Sequence, residues 1–228
     1  MRMESSRFNV DDYDLFLFDW DGTLCVEPFL LKLNKVLNPS WRLKKMRANE
    51  EATQKSALLR NGDAAKHIYK RGAFEEINEI ETEIEARMAD ISISLFKPRL
   101  REGAKMVLEK LSKRRKYIAL ITDGALYRIY REVEKLGVLN YFEALLSLQT
   151  IGKLKPNPLG AELMIKALKA EKKKTIYIGD MVDDILFARY AGIDICTIAG
   201  GFQSFNTLKR YKPKFIYRNM MEFEKSIK

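Results

Sequence analysis
The chain has 228 residues, 46% hydrophobic and 32% charged, with a formal net charge of +10, two cysteines and one histidine. That length allows one large α/β domain plus an insertion, and a chain of this size buries roughly 70% of its unfolded surface. No apolar run is long enough to span a bilayer, the start lacks the apolar core of a secretory signal, and Cys25 and Cys196 stand far apart with no Cys-x-x-Cys spacing. A cytoplasmic protein with reduced, buried thiols is therefore expected.

The first strand-like run, near 14 to 19, ends in Asp19-Trp20-Asp21-Gly22-Thr23-Leu24. Side chains alternate faces in a strand, and Gly22-Thr23 predicts a turn that folds Asp21 back over the same crevice as Asp19. Open parallel sheets place ligand sites at such strand ends. Two adjacent carboxylates repel unless a cation compensates, so the pair suits an oxygen-liganded metal or a split between nucleophile and acid/base. The plainer alternative is a strand end with an ordinary Asp-Gly turn.

Residues 25 to 97 read as helices: Pro28 to Leu37, Trp41 to Arg60, Ala64 to Arg71 and Phe74 to Met88. Phe74, Ile77, Ile80, Ile84 and Met88 recur at three- and four-residue steps, a stripe expected to form the insert's own core. Arg42, Lys44, Lys45, Arg47, Lys66, His67, Lys70 and Arg71 could meet an anionic substrate from this segment, although a solvated helix face is the expected place of most of them. Pro98 to Gly103 marks the return to the main domain.

Beyond it, strand-like runs near 117 to 122, 144 to 148, 175 to 179, 194 to 198 and 215 to 217 alternate with helical patterns. These cover Ala104 to Leu111, Leu126 to Leu136, Leu159 to Lys169 and Asp184 to Ala191. The alternation predicts a Rossmann-like α/β fold, a parallel sheet flanked by helices. Thr122 ends a strand before Asp123-Gly124; its hydroxyl, with free backbone donors at a helix start, could hold a phosphate oxygen or merely cap the helix. Lys155 lies in Lys-Pro-Asn-Pro, where the prolines impose an ordered turn that could present a compact ammonium to a transferring phosphoryl group. Asp180 ends the next strand, and Asp183 and Asp184 follow within one turn, a grouping that suits Mg²⁺ with retained waters. Acids at a helix start also act as caps, a role that suits Asp183.

The positive charges are dispersed over helix-to-strand junctions such as Lys113-Arg114-Arg115-Lys116 and Lys172-Lys173-Lys174. No zinc-finger, RNA-binding aromatic or nucleotide-triphosphatase loop signature accompanies them, so nucleic acid is not the expected partner, and a positive field would attract anionic substrates.

Four segments in order, Asp19-Trp20-Asp21-Gly22-Thr23-Leu24, Ile121-Thr122-Asp123-Gly124, Gly152 through Pro158, and Gly179 through Asp184, resemble the four motifs of the haloacid dehalogenase-like hydrolase superfamily. The resemblance is closest to the phosphoglycolate phosphatase-like branch. It implies a catalytic core of residues 1–24 and 98–228 with a helical cap at 25–97, and a Mg²⁺-dependent phosphatase acting on a small phosphorylated metabolite through an aspartyl-phosphate. Asp19 is the implied nucleophile and Asp21 the general acid/base. Thr122, Asp123, Gly124 and Lys155 would bind phosphate, Asp19, the Asp21 carbonyl and Asp180 the metal, and Asp184 would order Lys155 or a metal-bound water. The rival readings are a phosphomutase of the same fold and a non-catalytic basic phosphate- or RNA-binding protein. Relatives often continue the first motif with Val-Asp-Ser where this chain has Cys25-Val26-Glu27, so no named substrate carries over.

Overall fold
The computed structural model describes residues 7–26, 64–79, 87, 90–91, 93–94 and 97–228. Strands β1 (Leu15–Phe18), β2 (Tyr69–Lys70), β3 (Tyr117–Thr122), β4 (Ala144–Ser147), β5 (Thr175–Gly179), β6 (Asp194–Ile198) and β7 (Phe215–Tyr217) form one sheet in the order β2-β4-β3-β1-β5-β6-β7. The short β2 runs antiparallel to β4 at the edge, and the other pairs are parallel.

Strand β1 is apolar at every position because both of its faces are covered. Phe16 and Phe18 point into one core, with Ile118, Leu120, Ile176 and Ile178. Leu15 and Leu17 point into the other, with Ala119, Ile121 and Tyr177. This period of two is the mark of a strand with a helical layer on each side. Helices α1 (Ala104–Lys113), α2 (Leu126–Lys135) and α6 (Met220–Ser226) supply Val107, Leu108, Ile129, Val133 and Phe223 to the first core. Helices α3 (Leu159–Ala167), α4 (Val182–Ala191) and α5 (Phe205–Arg210) supply Met164, Ile185, Phe187 and Leu208 to the second. The strand order reverses at β1, which opens a crevice at the carboxyl ends of β1, β3 and β5.

The insert departs from the sequence pattern. Ala64 to Arg71, expected as a helix, is a 3-10 turn (Ala65–His67) followed by β2, whose Tyr69 and Lys70 pair with Leu145 and Ala144 of the main sheet. An exposed sheet edge offers unpaired backbone groups, and pairing there outweighs local helix preference. Phe74 and Ile77, with a helical turn at Glu76–Glu79, pack into the first core rather than into a core of the insert's own. Arg71 is tied to the same edge by an ion pair with Glu143 at 2.9 Å. The expected helices over Pro28 to Leu37 and Trp41 to Arg60, with Arg42, Lys44, Lys45 and Arg47, lie outside the described residues, as do Ile80, Ile84 and Met88. No helix among the described residues is long and apolar enough to cross a membrane.

Candidate active site
Asp19 follows directly on β1, and its amide extends the ladder by donating to the Ile178 carbonyl at 2.9 Å. The chain then turns tightly, with the Trp20 carbonyl accepting from the amides of Thr23, Leu24 and Cys25. Gly22 makes the turn possible: its φ is +82°, and a Cβ there would stand 2.5 Å from Asp180 Oδ2. Gly201 passes the same carboxylate so closely that a Cβ would overlap Asp180 Oδ2 and the Gly22 carbonyl. Asp180, at the end of β5, is wholly buried, accepting from Thr23 Oγ1 at 3.1 Å and from the Phe202 amide.

Lys155 joins the acids. Its ammonium, only 4% exposed, lies 2.8 Å from Asp19 Oδ1, 2.7 Å from Asp184 Oδ1 and 3.3 Å from the Tyr177 hydroxyl. Asp184, one turn into α4, uses its other oxygen to accept from the amides of Asp180 at 2.9 Å and Met181 at 2.8 Å. Asp184 therefore caps the start of α4 as well as holding Lys155. Gly179 leaves the room for it, since a Cβ there would overlap the Asp184 carboxyl. Helix α4 ends on Gly192 at φ +71°, with the Ile193 amide reaching back to Ala188 and that of Gly192 to Arg189.

Three buried carboxylates face one ammonium. Burial raises the proton affinity of Asp19 well above the carboxylate range; Lys155 opposes this, while Asp184 and Asp180 add to it. Asp180 is pushed up to about 7, by burial first and then by the charge of Asp184. Burial by itself would lower the Lys155 ammonium, but Asp184 and Asp19 overcome it and hold the group well above its usual value. Asp19, Asp180 and Asp184 present oxygens within 4.8 Å of one another. This excess of hard oxygen donors over positive charge fits a divalent cation. All three acids already make contacts: Asp184 with Lys155 and two amides, Asp180 with Thr23 Oγ1 and the Phe202 amide, and Asp19 with Lys155.

On the far side of Asp19, Thr122 Oγ1 accepts from the Gly124 amide at 3.0 Å, and Ser147 donates to the Gly124 carbonyl at 2.7 Å. Asp123 Oδ1 accepts from the Lys155 amide at 3.0 Å, so its carboxylate pins the lysine loop. A phosphate contact at that position would come from backbone N–H.

Asp21 meets a partner that the motifs do not announce. Arg128, on the first turn of α2, donates Nη1 to Asp21 Oδ1 at 3.0 Å and Nη2 to Oδ2 at 2.5 Å. The same Nη1 reaches both oxygens of Glu132, at 3.0 and 3.1 Å, and Glu132 accepts from Trp20 Nε1 at 2.7 Å. Arg101 spans the rim, donating to the carbonyls of Gly22 at 2.7 Å and Ala199 at 2.8 Å. Asp19, Lys155, Asp180 and Asp184 thus converge, Thr122, Asp123 and Gly124 line the adjoining wall, and Asp21 sits at the margin. Of the residues not foreseen, Arg128 and Glu132 were the most visible in sequence, as an i,i+4 charge pair just after the second motif. Arg101, Tyr177 and Phe202 carry no such signal.

A family model described as haloacid dehalogenase-like hydrolase matches residues 16–198. A pyrophosphatase of Halalkalibacterium halodurans is 24% identical over 119 residues, which is 52% of this chain and 55% of that protein, so the match spans about half of that relative's length. A phosphoglycolate phosphatase of Nitrosococcus oceani is 24% identical over 225 residues, covering 92% of this chain and 95% of that protein. A haloacid dehalogenase-like family hydrolase of Streptococcus pneumoniae superposes with a TM-score of 0.57 at 16% identity, over 96% of this chain and 100% of that one, a likeness of fold.

Proposed function
The chain belongs to the haloacid dehalogenase-like hydrolases, and from that premise and the geometry of the crevice we propose that it is a Mg²⁺-dependent phosphatase acting on a small phosphorylated metabolite through an aspartyl-phosphate. The observation that carries this reading is Lys155, held within 2.8 Å of Asp19 and 2.7 Å of Asp184 in a pocket of otherwise unbalanced acids. A structural ion pair needs one carboxylate per lysine, whereas a third buried acid, Asp180, makes sense beside a cation and a charged substrate.

In this reading Asp19 attacks phosphorus and displaces the alcohol, so one difficult displacement becomes two easier ones. Asp21 protonates the departing oxygen and then takes a proton from the water that attacks the aspartyl-phosphate. Lys155, Thr122 Oγ1 and the backbone N–H groups after Thr122 hold the equatorial oxygens as their charge shifts. Asp184 holds Lys155 in place. A Mg²⁺ ion on Asp19, the Asp21 carbonyl and Asp180 would supply charge neutralisation at the phosphoryl group. The reading keeps 1–24 and 98–228 for the core and 25–97 for an insert with a cap that selects substrate, Tyr69, Lys70, Phe74 and Ile77 of that insert being packed on the core. Buried, unpaired Cys25 and Cys196 support a reducing, cytoplasmic setting.

The test is a screen of phosphorylated metabolites for phosphate release, with Mg²⁺ and with chelator. Asp19→Asn should lower turnover by roughly three orders of magnitude or more while circular dichroism stays that of the folded protein. Hydrolysis by that variant at the parent rate would exclude Asp19 as nucleophile.

A further inference from the structure
The residues around Asp21 point to a role that the four motifs do not contain. Arg128 offers its planar fork to both oxygens of Asp21, an arrangement that fixes orientation as well as charge. Its own position is set from behind. Glu132, buried one turn along α2, is bound by Arg128 Nη1 and held in turn by Trp20 Nε1. Trp20 stands between Asp19 and Asp21, wholly buried. The four side chains therefore close a ring that begins and ends on the same turn. Gly124 completes the arrangement: a Cβ there would stand 2.6 Å from Arg128 Nη2, so any larger residue would push the guanidinium off its line.

We propose that Arg128, anchored by Glu132 and Trp20, is the positioning residue of Asp21. It holds the carboxyl group at the margin of the crevice, where the leaving-group oxygen departs. An aspartate carboxylate has several rotamers, and misplacing an acid by about 1 Å costs on the order of a hundredfold in rate. A bidentate arginine removes that freedom, and a lysine in its place would not, because a single ammonium fixes no plane.

This inference rests on the phosphatase reading, and the experiment separates the two. Arg128→Lys and Arg128→Gln are compared with Asp21→Asn in the full chain, using an alkyl phosphate, whose leaving group needs a proton, and p-nitrophenyl phosphate, whose leaving group scarcely does. The readout is kcat/KM, which ends at departure of the leaving group and so excludes hydrolysis of the aspartyl-phosphate. Both Arg128 variants should lose roughly ten- to a hundredfold on the alkyl ester and a few-fold at most on the aryl ester. Asp21→Asn should show the same bias more strongly, and added guanidinium should restore part of the loss in Arg128→Gln. Equal losses on both esters would reduce Arg128 to a structural part, and a raised KM with kcat retained would make it a substrate-binding residue; either overturns the proposal. Absence of phosphate release by the parent protein from either ester would instead sink the phosphatase reading itself.

Discussion

Lys155 is the residue on which the crevice balances. Removing a buried cation leaves its carboxylates uncompensated, which costs more than the ion pair contributes. Lys155→Met, which keeps the apolar stem, should therefore destabilise the metal-free protein by about 3–5 kcal/mol. Urea unfolding checks this, and an unchanged midpoint would mean that the buried acids do not depend on Lys155 for compensation. Asp19, Lys155 and Asp180 could be singled out from the sequence because each sits at a strand end or on a proline-bound loop. The partnership of Asp21 with Arg128 could not, since it joins residues more than a hundred positions apart.

Two glycines separate the demands of the site from those of the elements. Gly22 and Gly192 both adopt positive φ, but a side chain at Gly22 meets Asp180, whereas one at Gly192 meets open space. Gly192→Ala should cost about 1–2 kcal/mol, the strain of a left-handed residue at a helix end, and leave divalent-cation affinity as it was. Gly22→Ala should carry that cost and also displace the Asp180 carboxylate, weakening cation binding by tenfold or so if the shift costs about 1.4 kcal/mol. Calorimetric titration with Mg²⁺ on both variants decides; equal affinities would mean that the turn relaxes away from Asp180. Strands β1 and β3 to β7 and helices α1 to α4 follow the hydrophobic periodicity closely. Helices α5 and α6 are short and were not visible as patterns. The edge strand β2 defeated local reading because Tyr69 and Lys70 are chosen by the unpaired edge of β4, not by their neighbours in sequence.

For the whole molecule, the unbalanced acids couple stability to pH and to metal. Asp180 rises from an ordinary 3.8 to about 7, because burial disfavours its charge and Asp184 adds to the repulsion. Between those values the folded protein keeps a proton that the unfolded chain releases, so this group's contribution to the stability of the metal-free protein falls as pH rises. A divalent cation selects the ionised carboxylates and so stabilises most where they would otherwise repel. The gain in Tm from saturating Mg²⁺ should accordingly be larger near pH 8 than near pH 5. Equal gains at the two values would show that the cation does not bind Asp180.

The order of strand, turn and acid along the chain was enough to establish the parallel sheet and the family and to nominate the acids of the crevice. These follow from local facts: apolar runs of strand length, glycines and prolines where the backbone must turn, and charges placed where strands end. The closing of the site was settled in three dimensions. Which acid caps α4, which cation steadies Asp21 and which loop covers Asp180 depend on contacts between segments far apart in sequence, and burial makes each such contact cost too much to leave unmet.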